Sequence, residues 1–110
     1  MDQYISPQDL NRYLGREQKL TIVDLRSPEE FQRGHIPTAI NIPGEQLPDR
    51  MIEIPDEDVI VVYCGSSSPE GGACHEAYDL LTRTGHVAQI IEGGWPAWQE
   101  FEQTTPEKMR

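Results

Sequence analysis

The chain has 110 residues, enough for one domain with a modest core and with little room for a second. Nine Lys and Arg stand against 19 Asp and Glu, a net charge of -10 that repels phosphate backbones and anionic lipid headgroups and so disfavours nucleic-acid and membrane-surface binding. Apolar residues make up 36%, no run of them is long enough to span a bilayer, and the N-terminus lacks a basic-then-apolar signal pattern, so the expected location is the cytoplasm.

Ser6-Pro7-Gln8-Asp9 reads as a helix start, with Ser as N-cap, Pro at the first helical position and an acid behind it. Leu10, Tyr13 and Leu14 give that helix an apolar face, and Gly15 is placed to end it. Leu20 to Leu25 reads as a short buried strand. Ser27-Pro28-Glu29-Glu30 then carries a full capping box for a short helix, with Phe31 as its main core residue and Gly34 as its stop. Ile36, Ala39 and Ile42 lie in an extended segment punctuated by Pro37 and Pro43. Between Gly44 and Pro55, Leu47, Met51 and Ile52 are expected to face inward from one or two helical turns.

Val59-Ile60-Val61-Val62-Tyr63 is the clearest strand, β-branched and continuous, as in a strand buried on both faces. Cys64 follows it directly. Residues 65–72 are Gly, Ser, Pro and Glu only, a loop composition. A helix is predicted from Ala73 to Thr84, with Ala73, Ala77, Leu80 and Leu81 inward and Gly85 ending it. Val87 to Ile91 is the last strand. Gly93-Gly94 turns the chain into a final helix with Trp95, Trp98 and Phe101 at helical spacing, read as packing residues, and residues 102–110 form a polar tail. Alternating strands and helices predict an α/β domain with a parallel sheet covered on both faces, in which reactive groups collect at the carboxyl ends of the strands.

Two cysteines, Cys64 and Cys74, are too few for a disulfide scaffold. In a reducing compartment a Cys is a small buried hydrophobe, a metal ligand or a reactive thiol. Cys64 stands where reactivity is expected, between a strand end and a Gly/Ser loop that leads into a helix N-terminus. Loop N–H groups and the helix dipole both favour the thiolate, the reactive form. Ser66, Ser67 and Ser68 add hydroxyl donors. A metal site from Cys64, Cys74 and His75 lacks both a zinc-type spacing and a fourth ligand in sight.

Asp24-Leu25-Arg26-Ser27-Pro28-Glu29-Glu30-Phe31, Gly34-His35-Ile36-Pro37 and Ala39-Ile40-Asn41-Ile42-Pro43 together resemble the N-terminal signature of rhodanese domains. Val61-Val62-Tyr63-Cys64 resembles the strand that leads to their catalytic cysteine, and Gly93-Gly94 with Trp95 and Trp98 resembles their C-terminal signature. The three matches keep the family's order and cover about residues 5–101 of a single domain. The resemblance implies a small sheet of about five parallel strands sandwiched by helices. It also implies transfer of a sulfane sulfur, through a Cys64 persulfide, from a donor such as thiosulfate to a thiol or cyanide, with neither metal nor other cofactor.

Mapped onto these residues, Cys64 attacks the donor, and Gly65, Ser66, Ser67, Ser68, Gly71, Gly72 and Ala73 form the substrate-binding loop. Asp24 and Arg26 match the family's Asp-x-Arg and are read as ties from the strand end to neighbouring loops. His35 is read as a hydrogen-bonded structural histidine. The loop departs from the family's usual form: it is longer, carries no Arg or Lys over residues 65–73, and holds Glu70. That composition suits a neutral persulfide or a protein partner better than an anionic donor. It also argues against the phosphatases of related fold, in which an Arg clamps the phosphate where Glu70 stands here. Cys74 is either a small residue packing its helix onto the sheet or a resolving thiol for a Cys64 persulfide.

Three functions are therefore compatible with the residues: a sulfurtransferase, a thiol redox or persulfide-reducing protein using both cysteines, and an inactive interaction module of the same fold. The expected partners are a small sulfur donor and a thiol acceptor, small or carried on a protein. The chain is expected to be a monomer.

Overall fold

A computed structural model describes residues 3–14, 19–55, 59–65 and 73–104. Five strands form one all-parallel sheet: β1 (Tyr4–Ile5), β2 (Leu20–Asp24), β3 (Ile40–Asn41), β4 (Val59–Tyr63) and β5 (Val87–Ile91), in the order β1-β5-β4-β2-β3. β4 is central, which is why its run of β-branched residues is buried from Ile60 to Tyr63. The two short strands, β1 and β3, lie at the edges, where few residues need be apolar, and neither stands out in the sequence.

Helices cover both faces, one following each strand in the chain: α1 (Pro7–Leu14), α2 (Pro28–Arg33), α3 (Leu47–Arg50), α4 (Ala73–Arg83) and α5 (Gly94–Thr104). Strand alternation divides the core in two. Ile60 and Val62 point to one layer with Leu47 of α3 and Cys74, Ala77 and Leu81 of α4. Val61 and Tyr63 point to the other, with Leu10 of α1, Trp98 and Phe101 of α5, and Phe31 of α2 half-buried at its margin. The same alternation sends Cys64, one residue past β4, to the α4 side.

The predicted starts and stops are built as their residue types require. Ser6 Oγ accepts from Asp9 N (3.1 Å) at the head of α1. Ser27 caps α2 with a complete capping box: its side chain accepts from Glu30 N, and the Glu30 carboxylate accepts from Ser27 N. A six-residue helix depends on such caps, because few of its backbone groups are paired internally. Ser27→Ala is expected to cost about 1 kcal/mol and to lower the thermal midpoint by several degrees, read by calorimetry. Gly93 turns β5 into α5 at φ +78°, and a Cβ there would stand 2.6 Å from that of Ala97, so the position suits glycine alone.

Three details differ from the sequence expectations. Ile52 does not face inward; it is 93% exposed. Leu47, Met51 and Ile54 share the inward side at spacings of four and three residues, and position 52 falls on the opposite side of that turn. α5 runs on to Thr104, so the tail starts later than residue 102. Buried Phe101 anchors that last turn, and Thr104 Oγ1 donates back to Glu100 O (2.9 Å). α4 ends at Arg83, one residue early, where the Thr84 hydroxyl donates to Leu80 O (2.9 Å) and Gly85 takes φ +95°. The stop expected at Gly15 lies outside the described residues.

Candidate active site

The site gathers at the carboxyl end of β4. Cys64 is half-buried, and the turn that α5 makes as it starts fixes its backbone: Trp95 N donates to Cys64 O (2.9 Å). On the other side, α4 begins at Ala73 and brings Cys74 into its first turn, 6% exposed. The two sulfurs are 2.6 Å apart, with the Cys74 thiol donating to Cys64 Sγ, and no disulfide joins them. The Cys64 sulfur thus lies against an eleven-residue helix at its N-terminal end, where the dipole favours negative charge. The Cys74 thiol is held well above the usual thiol range. Its hydrogen bond to Cys64 is the largest cause, followed by burial and by the charge of Cys64. Of the two, Cys74 is the thiol held protonated, placed to donate to the Cys64 sulfur.

Behind Cys64, on the opposite face of the sheet, lies a buried polar latch. The Asp24 carboxylate, fully buried, accepts from Arg26 N (2.8 Å), Arg26 Nε (3.0 Å) and Arg26 Nη2 (2.7 Å), and from the Tyr63 hydroxyl (2.7 Å). Arg26 Nη2 also donates to Gly34 O (2.6 Å). Its guanidinium lies over the Trp95 ring, 4.5 Å from the centroid. The Tyr63 hydroxyl accepts from Ile36 N (3.1 Å), and burial followed by the bond to Asp24 holds it protonated well beyond the usual tyrosine range. Asn41 Nδ2 donates to Asp24 O (3.0 Å) and Arg26 O (2.9 Å). These contacts tie the ends of β2, β3 and β4 to the α2–β3 connection and to the start of α5. The stem of Arg26 runs alongside Gly65, where an added Cβ would stand 3.4 Å from Arg26 Cδ, so the latch supports the backbone that carries Cys64.

The residues singled out in the sequence do not all converge. Cys64, Gly65 and Cys74 come together, with Asp24 and Arg26 behind them. His35 is exposed, donates from Nδ1 to Phe31 O (2.8 Å) and stacks on the Phe31 ring at 3.7 Å, an arrangement that holds the end of α2. His75, beside Cys74, shares a hydrogen bond with the Tyr4 hydroxyl of β1 (2.8 Å). Ser66, Ser67, Ser68, Gly71 and Gly72 lie outside the described residues, as does the side chain of Ala73. Three members of the latch escape sequence reasoning: the Tyr63 hydroxyl, the Trp95 ring over Arg26, and the Asn41 amide. A tyrosine ending an apolar strand gave a signal for the first, since a buried hydroxyl needs a partner. A cavity of about 320 Å³ lined by Ser6, Glu92, Glu100 and Phe101 among others opens on the α1/α5 side, away from the layer that holds the Cys64 thiol.

Comparison with known proteins places this arrangement. The family model of the rhodanese-like domain matches residues 6–101. A sulfurtransferase of Allochromatium vinosum is 35% identical over 94 residues, which cover 86% of this chain and 85% of that protein. The thiosulfate sulfurtransferase PspE of Escherichia coli is 32% identical over 74 residues, 66% of this chain and 67% of that one. Among solved structures, a rhodanese-related protein from Thermoplasma volcanium superposes with a TM-score of 0.77 at 25% identity, covering 90% of this chain and 92% of that chain. The fold and the sequence agree over nearly the whole chain, and the chain belongs to the rhodanese-like domain family.

Proposed function

We propose that the protein is a sulfurtransferase that carries sulfane sulfur as a persulfide on Cys64. One observation carries the reading: the Cys64 thiol is half-exposed at the end of the central strand, against the first turn of α4, and accepts a hydrogen bond from Cys74. A sulfur so placed is both ionisable and reachable. In the first step the Cys64 thiolate attacks the donor's sulfane sulfur and forms an S–S bond. The donor's own S–S bond breaks, and its electron pair leaves on sulfite when the donor is thiosulfate, or on a thiolate when it is a persulfide. In the second step a thiolate or cyanide takes the outer sulfur, and Cys64 departs as thiolate. Gly65 to Ala73 are assigned to holding the outer sulfur on the strength of their small, hydrogen-bonding composition.

A persulfide suits this chain better than thiosulfate as donor. Residues 65–73 offer no cation to hold a dianion, and the net charge of -10 draws none in from a distance. Two thiols in contact without a disulfide also suit a reducing compartment, and the cytoplasm is the proposed location. The acceptor is a thiol, on a small molecule or a protein, and the carrier acts as a monomer.

The test uses the chain with Cys74→Ser, so that only one thiol is present. Intact mass is measured after exposure to thiosulfate and, separately, to cysteine hydropersulfide. The expected result is a gain of one sulfur, greater with the persulfide and removed by a thiol. No gain with either donor would leave an interaction module of rhodanese fold as the better account.

A further inference from the structure

The geometry points to a second step at the same site, in which Cys74 resolves the Cys64 persulfide: its sulfur attacks Cys64 Sγ, hydrosulfide leaves, and a Cys64–Cys74 disulfide remains. We infer that the protein thereby reduces sulfane sulfur to sulfide as well as passing it on. The inference rests on the reading of Cys64 as sulfur carrier.

Three observations support it. The sulfurs are in direct contact at 2.6 Å, across a strand end and a helix first turn that both pack in one core layer. An attack between groups already held together gains a large effective concentration over any external thiol. Secondly, Cys74 is buried while Cys64 is half-exposed, so a donor meets Cys64 first and Cys74 stands beside the inner sulfur of the persulfide that forms. Thirdly, residues 65–73 contain no Lys or Arg, so hydrogen bonds alone hold a negative outer sulfur there, and it leaves as hydrosulfide more readily than one paired with a cation.

The proton bookkeeping also fits. In the resting state Cys74 is kept protonated chiefly by its bond to the Cys64 sulfur and, after burial, by the charge there. Persulfide formation moves that charge to the outer sulfur, one bond further from Cys74. The brake on Cys74 weakens only once a persulfide is present. The Cys74 proton then passes to the departing sulfur. The balance is complete: a hydropersulfide donor and the two protein thiols give the donor's thiol, hydrogen sulfide and the protein disulfide. An external dithiol, small or protein-borne, returns the disulfide to two thiols for the next cycle.

The experiment is a single turnover without added reductant, under anaerobic conditions, with cysteine hydropersulfide as the probe. Wild type and Cys74→Ser are followed by intact mass and by a sulfide electrode. Wild type is expected to release one equivalent of sulfide per chain and to lose two hydrogens. Cys74→Ser is expected to keep one added sulfur, with its prompt sulfide release falling to none. If wild type instead keeps the added sulfur and releases no sulfide, resolution by Cys74 is overturned while Cys64 stands as carrier. If neither protein gains sulfur or releases sulfide, the carrier reading falls, and resolution with it.

Discussion

Cys64→Ser is expected to reduce sulfur transfer to background, a fall in kcat/KM of at least about a thousandfold, or about 4 kcal/mol of transition-state stabilisation. The replacement keeps the shape and loses the chemistry. A serine hydroxyl holds its proton far above neutral pH, and its oxygen is a poor partner for sulfane sulfur, whereas a thiolate is both available and soft. Cys64 is half-buried and its backbone carbonyl still accepts from Trp95 N, so the fold has no reason to change. Steady-state transfer from cysteine hydropersulfide to a thiol, measured beside the thermal midpoint, checks the claim. A variant with an unchanged midpoint and a retained tenth of the activity would show that the nucleophile is elsewhere.

Asp24→Ala is expected to remove about 3–5 kcal/mol of folding stability, the typical cost of stranding one partner of a buried ion pair. For a domain whose whole stability is about 5–15 kcal/mol, that is a large share. The carboxylate accepts from three nitrogens of Arg26 and from the Tyr63 hydroxyl inside a fully buried site. Without it, the Arg26 charge keeps Gly34 O and the Trp95 ring but loses its counter-ion. An apolar replacement of the whole pair is often as stable; it is the half-removal that is costly. Because the stem of Arg26 lies alongside Gly65, activity should fall with stability. The midpoint of chemical denaturation measures the first, and Asp24→Asn, which keeps the shape and one acceptor, supplies an intermediate point should the Ala variant fail to fold. A loss below about 1 kcal/mol would mean that the latch is replaceable by solvent.

Much of this was legible along the chain because the signals are local. Capping residues, a β-branched run and glycine stops each act within a few residues, so α2, β4 and the start of α1 follow from neighbouring side chains alone. The position of Cys64 was legible for the same reason: it directly follows the buried central strand. The edge strands β1 and β3, two residues each, carry no periodicity to read, and they exist because Ile90 and Val23 offer them backbone partners. Ile52 misled because one exposed apolar residue looks like its inward neighbours until the turn's phase is known.

The site divides in the same way. Which residues are chemically capable is a property of the sequence: two thiols, and an Asp-x-Arg after a strand. Which of them meet depends on distances across many residues. Cys64 and Cys74 stand ten positions apart, and the packing of α4 on the β4 layer puts their sulfurs in contact. Tyr63 reaches Asp24 across 39 positions because β2 and β4 are parallel neighbours in register, Asp24 opposite Tyr63. Local sequence sets propensity and chemistry; strand order and register, which depend on the packing of the whole core, decide that the two thiols meet and that Cys74 is the buried donor of the pair.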